Sequence, residues 1–157
     1  MSWAKVPLPR AILTSGLIVG ALDAMAAMTH AFLLRGTSPD RVWKYVASGA
    51  LGKAATDGGV EMVLLGLSFH FIIATGWTGL FFVVSQRVQM LTEGKIVAGL
   101  LYGIFIWLAM NFIVVPMSQI GPPVIRLTLP TVLMVLIHMF VIGLPISLLA
   151  SRYWRRT

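Results

Sequence analysis

Residues 11–34 read AILTSGLIVGALDAMAAMTHAFLL, and this stretch decides the fold. Twenty-four residues between Arg10 and Arg35 carry one carboxylate, Asp23, and otherwise little that needs water. As a helix rising about 1.5 Å per residue, the stretch covers about 36 Å, enough for roughly 30 Å of hydrocarbon. In lipid a lone segment has to satisfy its own backbone hydrogen bonds, which selects an α-helix. The run is too long for the apolar core of a cleavable leader, even with Lys5 and Arg10 before it.

Three more segments of similar length follow, at 61–84, 96–118 and 127–150. None shows the two-residue alternation of a membrane barrel strand. Composition agrees: 58% of residues are apolar and 11% charged, with a mean hydropathy of +0.90. A soluble domain is about half apolar and a quarter charged. The 157 residues make one transmembrane domain, and the expected fold is an all-α integral membrane four-helix bundle.

The absence of cysteine excludes disulfides, thiolate metal sites and cysteine nucleophiles. The net charge of +7 comes from basic residues at helix ends and in the C-terminal tail, where lipid headgroups attract them. No basic helix with interleaved aromatics is present, so nucleic acid is not an expected partner. Counting Lys and Arg gives an orientation. The side of the termini holds Lys5, Arg10, Arg87, Lys95, Arg152, Arg155 and Arg156, and the other holds Arg35, Arg41, Lys44, Lys53 and Arg126. The positive-inside rule puts both termini in the cytoplasm, with Trp3, Tyr153 and Trp154 as interface anchors.

The connection from 36 to 60 is too long for a turn. Ser38-Pro39-Asp40 reads as a helix start, with a Ser cap, Pro at the first position and an acid in the first turn. The expected element is a short amphipathic interfacial helix over 39–50, its apolar face formed by Val42, Tyr45, Val46 and Ala50. Gly49, Gly52, Gly58 and Gly59 around Lys53 and Asp57 predict a flexible stretch after it. With no strand before these glycines, they do not make a phosphate loop.

The polar residues inside the spans carry the functional information. Converted to depth from the cytoplasmic end, Asp23, His70, Asn111 and His138 fall within one helical turn of each other, and His30 lies one to two turns further out. A mid-membrane Asp costs about 2.5–3.5 kcal/mol to insert and usually faces the bundle interior with a partner. Small residues at spacings of four mark the inward faces: Gly16 and Gly20 before Asp23, Gly66 before His70, Gly99 and Gly103 before Asn111.

Three readings of this layer stand open. It is a hydrogen-bonded network that pins helix order, with Asp23 held by a histidine and Asn111, in a structural or accessory subunit of a membrane complex. Alternatively His70 and His138 ligate haem b or a metal ion, with room beside His70 at Gly66. In the third, Asp23, His70, Asn111 and His138 form a proton or small-solute pathway, with Pro116, Gly143 and Pro145 breaking the third and fourth helices. Neither HExxH, GxSxG nor paired carboxylates occur, so enzyme chemistry is not expected.

ASGALGKAATDGG at 47–59, LGLSFHFIIATG at 65–76, LLYGIFIWLAMNFIVVPMS at 100–118 and HMFVIGLPISL at 138–148 together resemble small bacterial inner-membrane proteins of the YagU-like kind. The resemblance runs from about residue 11 to 150 and implies four membrane helices in the bacterial inner (plasma) membrane. It implies no activity and no site residues. The partners expected from the sequence are lipid and, beyond it, other membrane subunits or further copies in a homo-oligomer.

Overall fold

The computed structural model describes residues 6–155. The described chain is helical and contains no strand. Seven helices appear: α1 (Leu8–Arg35), α2 (Pro39–Leu51), α3 (Lys53–Asp57), α4 (Val60–Arg87), α5 (Met90–Glu93), α6 (Lys95–Met117) and α7 (Leu129–Trp154). Of these α1, α4, α6 and α7 are long and apolar enough to cross a membrane, and they form a four-helix bundle. Leu33, Ile72, Val97, Leu101 and Phe112 are exposed along its outside, as lipid-facing residues require.

The bundle folds as two close-packed pairs. Gly16 and Gly20 of α1 meet α4, where an added Cβ would lie 2.7 Å from the Thr75 Cα and 2.8 Å from the Phe71 ring. In the second pair, Gly99 of α6 faces Leu144, and Gly103 faces the backbone of His138 and Met139. Gly143 of α7 approaches Gly99 and Gly103 in return. Glycines on both helices remove the side-chain layer, and backbone packs on backbone.

The half nearer the termini is solidly filled. Phe82, Val19 and Ile146 are fully buried there with Phe81, Ile106 and Ile142. Serines tie the helix ends across the bundle: Ser147 Oγ donates to the Lys95 carbonyl at 2.7 Å and Ser151 Oγ to Thr92 at 2.9 Å. Tyr153 OH donates to the Val6 carbonyl at 3.2 Å, which brings the two chain ends to one side. Tyr153 is buried and Trp154 half-buried at this end, Trp154 Nε1 donating to Ser85 Oγ. Trp3, Lys5 and Arg156 lie outside the described residues.

Both α6 and α7 widen into a π turn, at Met110–Val114 and His138–Gly143. The cause is Pro116 and Pro145. A proline lacks an N–H, and its ring crowds the carbonyl four residues earlier, here Phe112 and Val141, each inside its π turn. The prolines thus widen the helices without breaking them.

The connection 36–60 departs from expectation in three ways. Ser38 sits at the start of α2, but its hydroxyl bonds the Asp40 carboxylate and caps no backbone N–H. The segment expected to be flexible contains α3. The packed face of α2 is Trp43, Ala47 and Ser48, while Tyr45 and Ala50 are exposed. Gly66 decides that orientation, because the Trp43 carbonyl sits directly against it and only a glycine on α4 leaves room. Gln119 then holds the far end of α2, its backbone N–H donating to Gly49 at 2.9 Å and its side-chain amide to Ala50 at 2.6 Å.

Candidate functional site

Asp23 is the sixteenth residue of the 28 in α1, close to mid-helix, and its side chain is 21% exposed. His70 of α4 faces it, with Nδ1 at 4.0 Å from the carboxylate. The His70 ring is held from three sides: Nε2 is 2.9 Å from the Gly20 carbonyl, and the Trp43 and Phe71 rings stand edge-on at 5.2 and 5.4 Å. A carbonyl only accepts, so Nε2–H donates to Gly20, and Nδ1 faces Asp23.

His138 of α7 is buried, and its Nδ1 is 2.8 Å from the Met134 carbonyl. By the same argument Nδ1–H donates there, which leaves Nε2 without a hydrogen bond among the described residues. Both histidines lie close enough to Asp23 to interact with it electrostatically. The carboxylate itself accepts no hydrogen bond from any described residue, and the His70 contact at 4.0 Å is too long for one.

Asn111 serves elsewhere, whereas His30 joins Asp23 and His138 around one cavity. The Asn111 amide donates at 2.9 Å to the Trp107 carbonyl of its own helix, inside the π turn, and does not reach Asp23. The Trp107 carbonyl also accepts the Met110 backbone N–H, so the Asn111 amide is a second donor to it. His30 Nε2 donates to the Pro130 carbonyl at 3.1 Å, pinning α1 to the first turn of α7. The space beside His70 foreseen at Gly66 is filled by the α2 backbone. Among the described residues, no group of three or more histidine or carboxylate side chains is placed to hold a metal ion.

The helices enclose a feature that no span shows alone. A cavity of about 750 Å³ lies between α1, α2, α6 and α7. Asp23, His30 and His138 line it together with Ala27, Ala31, Val42, Tyr45, Val46, Met110 and Met134. Arg35, Arg41 and Lys44 also line it, with the hydroxyls of Thr37 and Thr56. Arg35 lies twelve residues beyond Asp23 on α1, about 18 Å along the helix. The cavity therefore reaches from the end of the bundle opposite the termini to its middle. Three cations lie toward its outer part and a carboxylate–imidazole pair at its inner end.

The cations are lightly engaged. Lys44 Nζ is 3.9 Å from the half-exposed Asp40, four residues earlier, and neither Arg35 nor Arg41 forms an ion pair among the described residues. Asp40 is held below the usual carboxylate range, chiefly by the Ser38 hydroxyl and with help from Lys44. Sequence spacing flagged Asp23, His138 and His30 and missed the cations, since Arg41 and Lys44 join the cavity only because Gly66 turns α2. The cue available was their spacing of three on a helix of opposite polar and apolar faces. Comparison with known proteins gives no match to a family model, to a curated protein or to a solved structure.

Proposed function

We propose that this membrane bundle is a solute-binding protein, with the cavity ending at Asp23 and His138 as its site. One observation carries the reading: at mid-helix a carboxylate without a hydrogen bond and an imidazole with a free Nε2 open together onto a cavity of about 750 Å³. Ligand cavities are commonly about 300–1,000 Å³, mostly apolar, with a few converging polar groups. A layer that served packing alone would close on itself, as His70 and Asn111 do.

Binding is better supported than conduction, because the core around Phe82 and Ile146 fills the half nearer the termini. Haem held between His70 and His138 finds less support. His70 has Nε2 on Gly20, Nδ1 facing Asp23 and aromatic rings on two sides. No bond-making role is assigned to the site.

The location proposed is the bacterial plasma membrane, with the termini in the cytoplasm. The structure adds an argument for that orientation. Of the five cations on the opposite side, Arg35, Arg41 and Lys44 line the cavity, so they need not count as topological signals.

The chain has no cysteine, so a single introduced thiol reports its own surroundings. Ala27→Cys lines the cavity, and Met25→Cys, two residues away on α1, points outward at 55% exposure. In intact spheroplasts a charged, membrane-impermeant maleimide is expected to label Ala27→Cys and spare Met25→Cys. Equal resistance of the two thiols would overturn the reading. Labelling only in inverted vesicles would reverse the orientation.

A further inference from the structure

We propose that the ligand is a two-ended amphiphile, with an anionic group at one end, an apolar middle and a hydrogen-bond donor at the other. The proposal rests on the solute-binding reading above and specifies the chemistry that the cavity selects.

The outer part sets the first requirement. Arg35, Arg41 and Lys44 bring three positive charges to one cavity, and Lys44 alone has a carboxylate near it, at 3.9 Å. Like charges converging on a partly enclosed space are destabilising until an anion joins them. The Thr37 hydroxyl adds a donor suited to carboxylate or phosphate oxygens. A cationic or neutral outer end leaves these groups unanswered.

The middle sets the second requirement. Around His30, whose Nε2 is taken up by Pro130, residues such as Ala27, Val42, Val46, Met110 and Met134 present carbon and thioether surface to the ligand. The two methionines, flexible and polarizable, adapt to chains of different shape. A small hydrophilic anion gains nothing from this wall.

The inner end sets the third. A plain methyl terminus would seal the Asp23 carboxylate, already without a hydrogen bond, away from water as well. Leaving a buried carboxyl group unanswered is costly, whereas a hydroxyl or ammonium there donates to Asp23 beside the His138 ring. The separation of about 18 Å along α1 between Arg35 and Asp23 sets the span between the two ends. This combination excludes an ordinary fatty acid, which lacks the inner donor, and an ordinary small anion, which lacks the middle.

The test measures binding of defined probes to the full chain in nanodiscs by calorimetry. The probes are 12-hydroxydodecanoate, dodecanoate, dodecan-1-ol and acetate. 12-Hydroxydodecanoate is expected to bind with one-to-one stoichiometry, at least tenfold tighter than dodecanoate, with dodecan-1-ol and acetate weaker still. The double variant Arg35→Gln/Arg41→Gln is expected to lose tenfold or more for both acids and to keep the preference between them. Asp23→Asn is expected to collapse the preference while keeping affinity for dodecanoate.

Equal binding of the hydroxy acid and dodecanoate would overturn the inner-end requirement and with it the proposal. Acetate binding as tightly as the long acids would reduce the site to a simple anion site and overturn it too. Labelling of Ala27→Cys together with no binding of any probe would reject this ligand class and leave the solute-binding reading standing. Absence of labelling would reject both.

Discussion

Replacing Gly66 by alanine tests the contact on which the cavity depends. The new methyl group would sit 2.7 Å from the Trp43 carbonyl carbon and 3.2 Å from the Ala47 nitrogen, with the Trp43 oxygen closer still. Ordinary contact begins at 3.4 Å, so α2 has to move off α4 by about 0.7 Å or more. The opposing atoms are backbone, and no rotamer change relieves them. Overpacking of this kind costs about 1–3 kcal/mol, and a rigid neighbour puts Gly66→Ala at the upper end. At about 3 kcal/mol the balance between docked and undocked α2 shifts more than a hundredfold.

Gly76→Ala supplies the control on the same helix, since nothing lies within 4 Å of its new Cβ. It is expected to be neutral or slightly stabilising, as Gly→Ala in a helix is worth up to about 1 kcal/mol. Unfolding in mixed micelles titrated with a denaturing detergent, followed by tryptophan fluorescence, compares the two variants. The Ala27→Cys labelling assay then reports whether the cavity persists. Equal stability of Gly66→Ala and Gly76→Ala would refute the reasoning, because it would mean that α2 does not rest on α4 at that residue.

Three further outcomes follow from the geometry. His70→Ala is expected to lower unfolding free energy by about 2 kcal/mol, combining loss of an interhelical hydrogen bond with the void left between Trp43 and Phe71; a neutral result would count against that packing. The absorption spectrum of the purified protein is expected to show no Soret band, and a band lost in both His70→Ala and His138→Ala would restore the haem reading. The Asp40 carboxyl, followed by carbon NMR, is expected to titrate below the ordinary carboxylate range and to move up in Ser38→Ala. Because the folded state lowers this group's affinity for protons, its contribution to the start of α2 is present at neutral pH and lost as pH falls through the depressed value. An unshifted midpoint would remove the Ser38–Asp40 bond from the account.

The spans were legible because hydropathy is a local property. The glycine stripes were legible for the same reason, and Gly16, Gly20, Gly99 and Gly103 each lie where two helices touch. What sequence spacing left out arises between segments far apart in the chain. The contact of Trp43 with Gly66 rotates α2 and carries Arg41 and Lys44 into the cavity, and nothing in 39–50 read alone specifies it. Asn111 shared a depth with Asp23, but depth does not fix direction, and its amide donates to a carbonyl of its own helix instead. The buried roles of Ser147 and Ser151 were equally hidden, since a serine in an apolar run looks like any small residue until the carbonyl opposite it is known.

The contacts of Gly99 and Gly103 with α7 have a mechanical consequence. With backbone seated on backbone, α6 and α7 have no intervening side chains to slide over or repack, and they behave as one stiff plank. The α1–α4 pair, joined at Gly16 and Gly20 and carrying α2 on Gly66, forms a second plank. The cavity lies along the seam between them, with Ala27, Val42 and Val46 on one side and Met110, Met134 and His138 on the other. A change in its volume therefore comes mainly from the planks parting or closing about the filled end near the termini, as a clothes-peg opens about its spring.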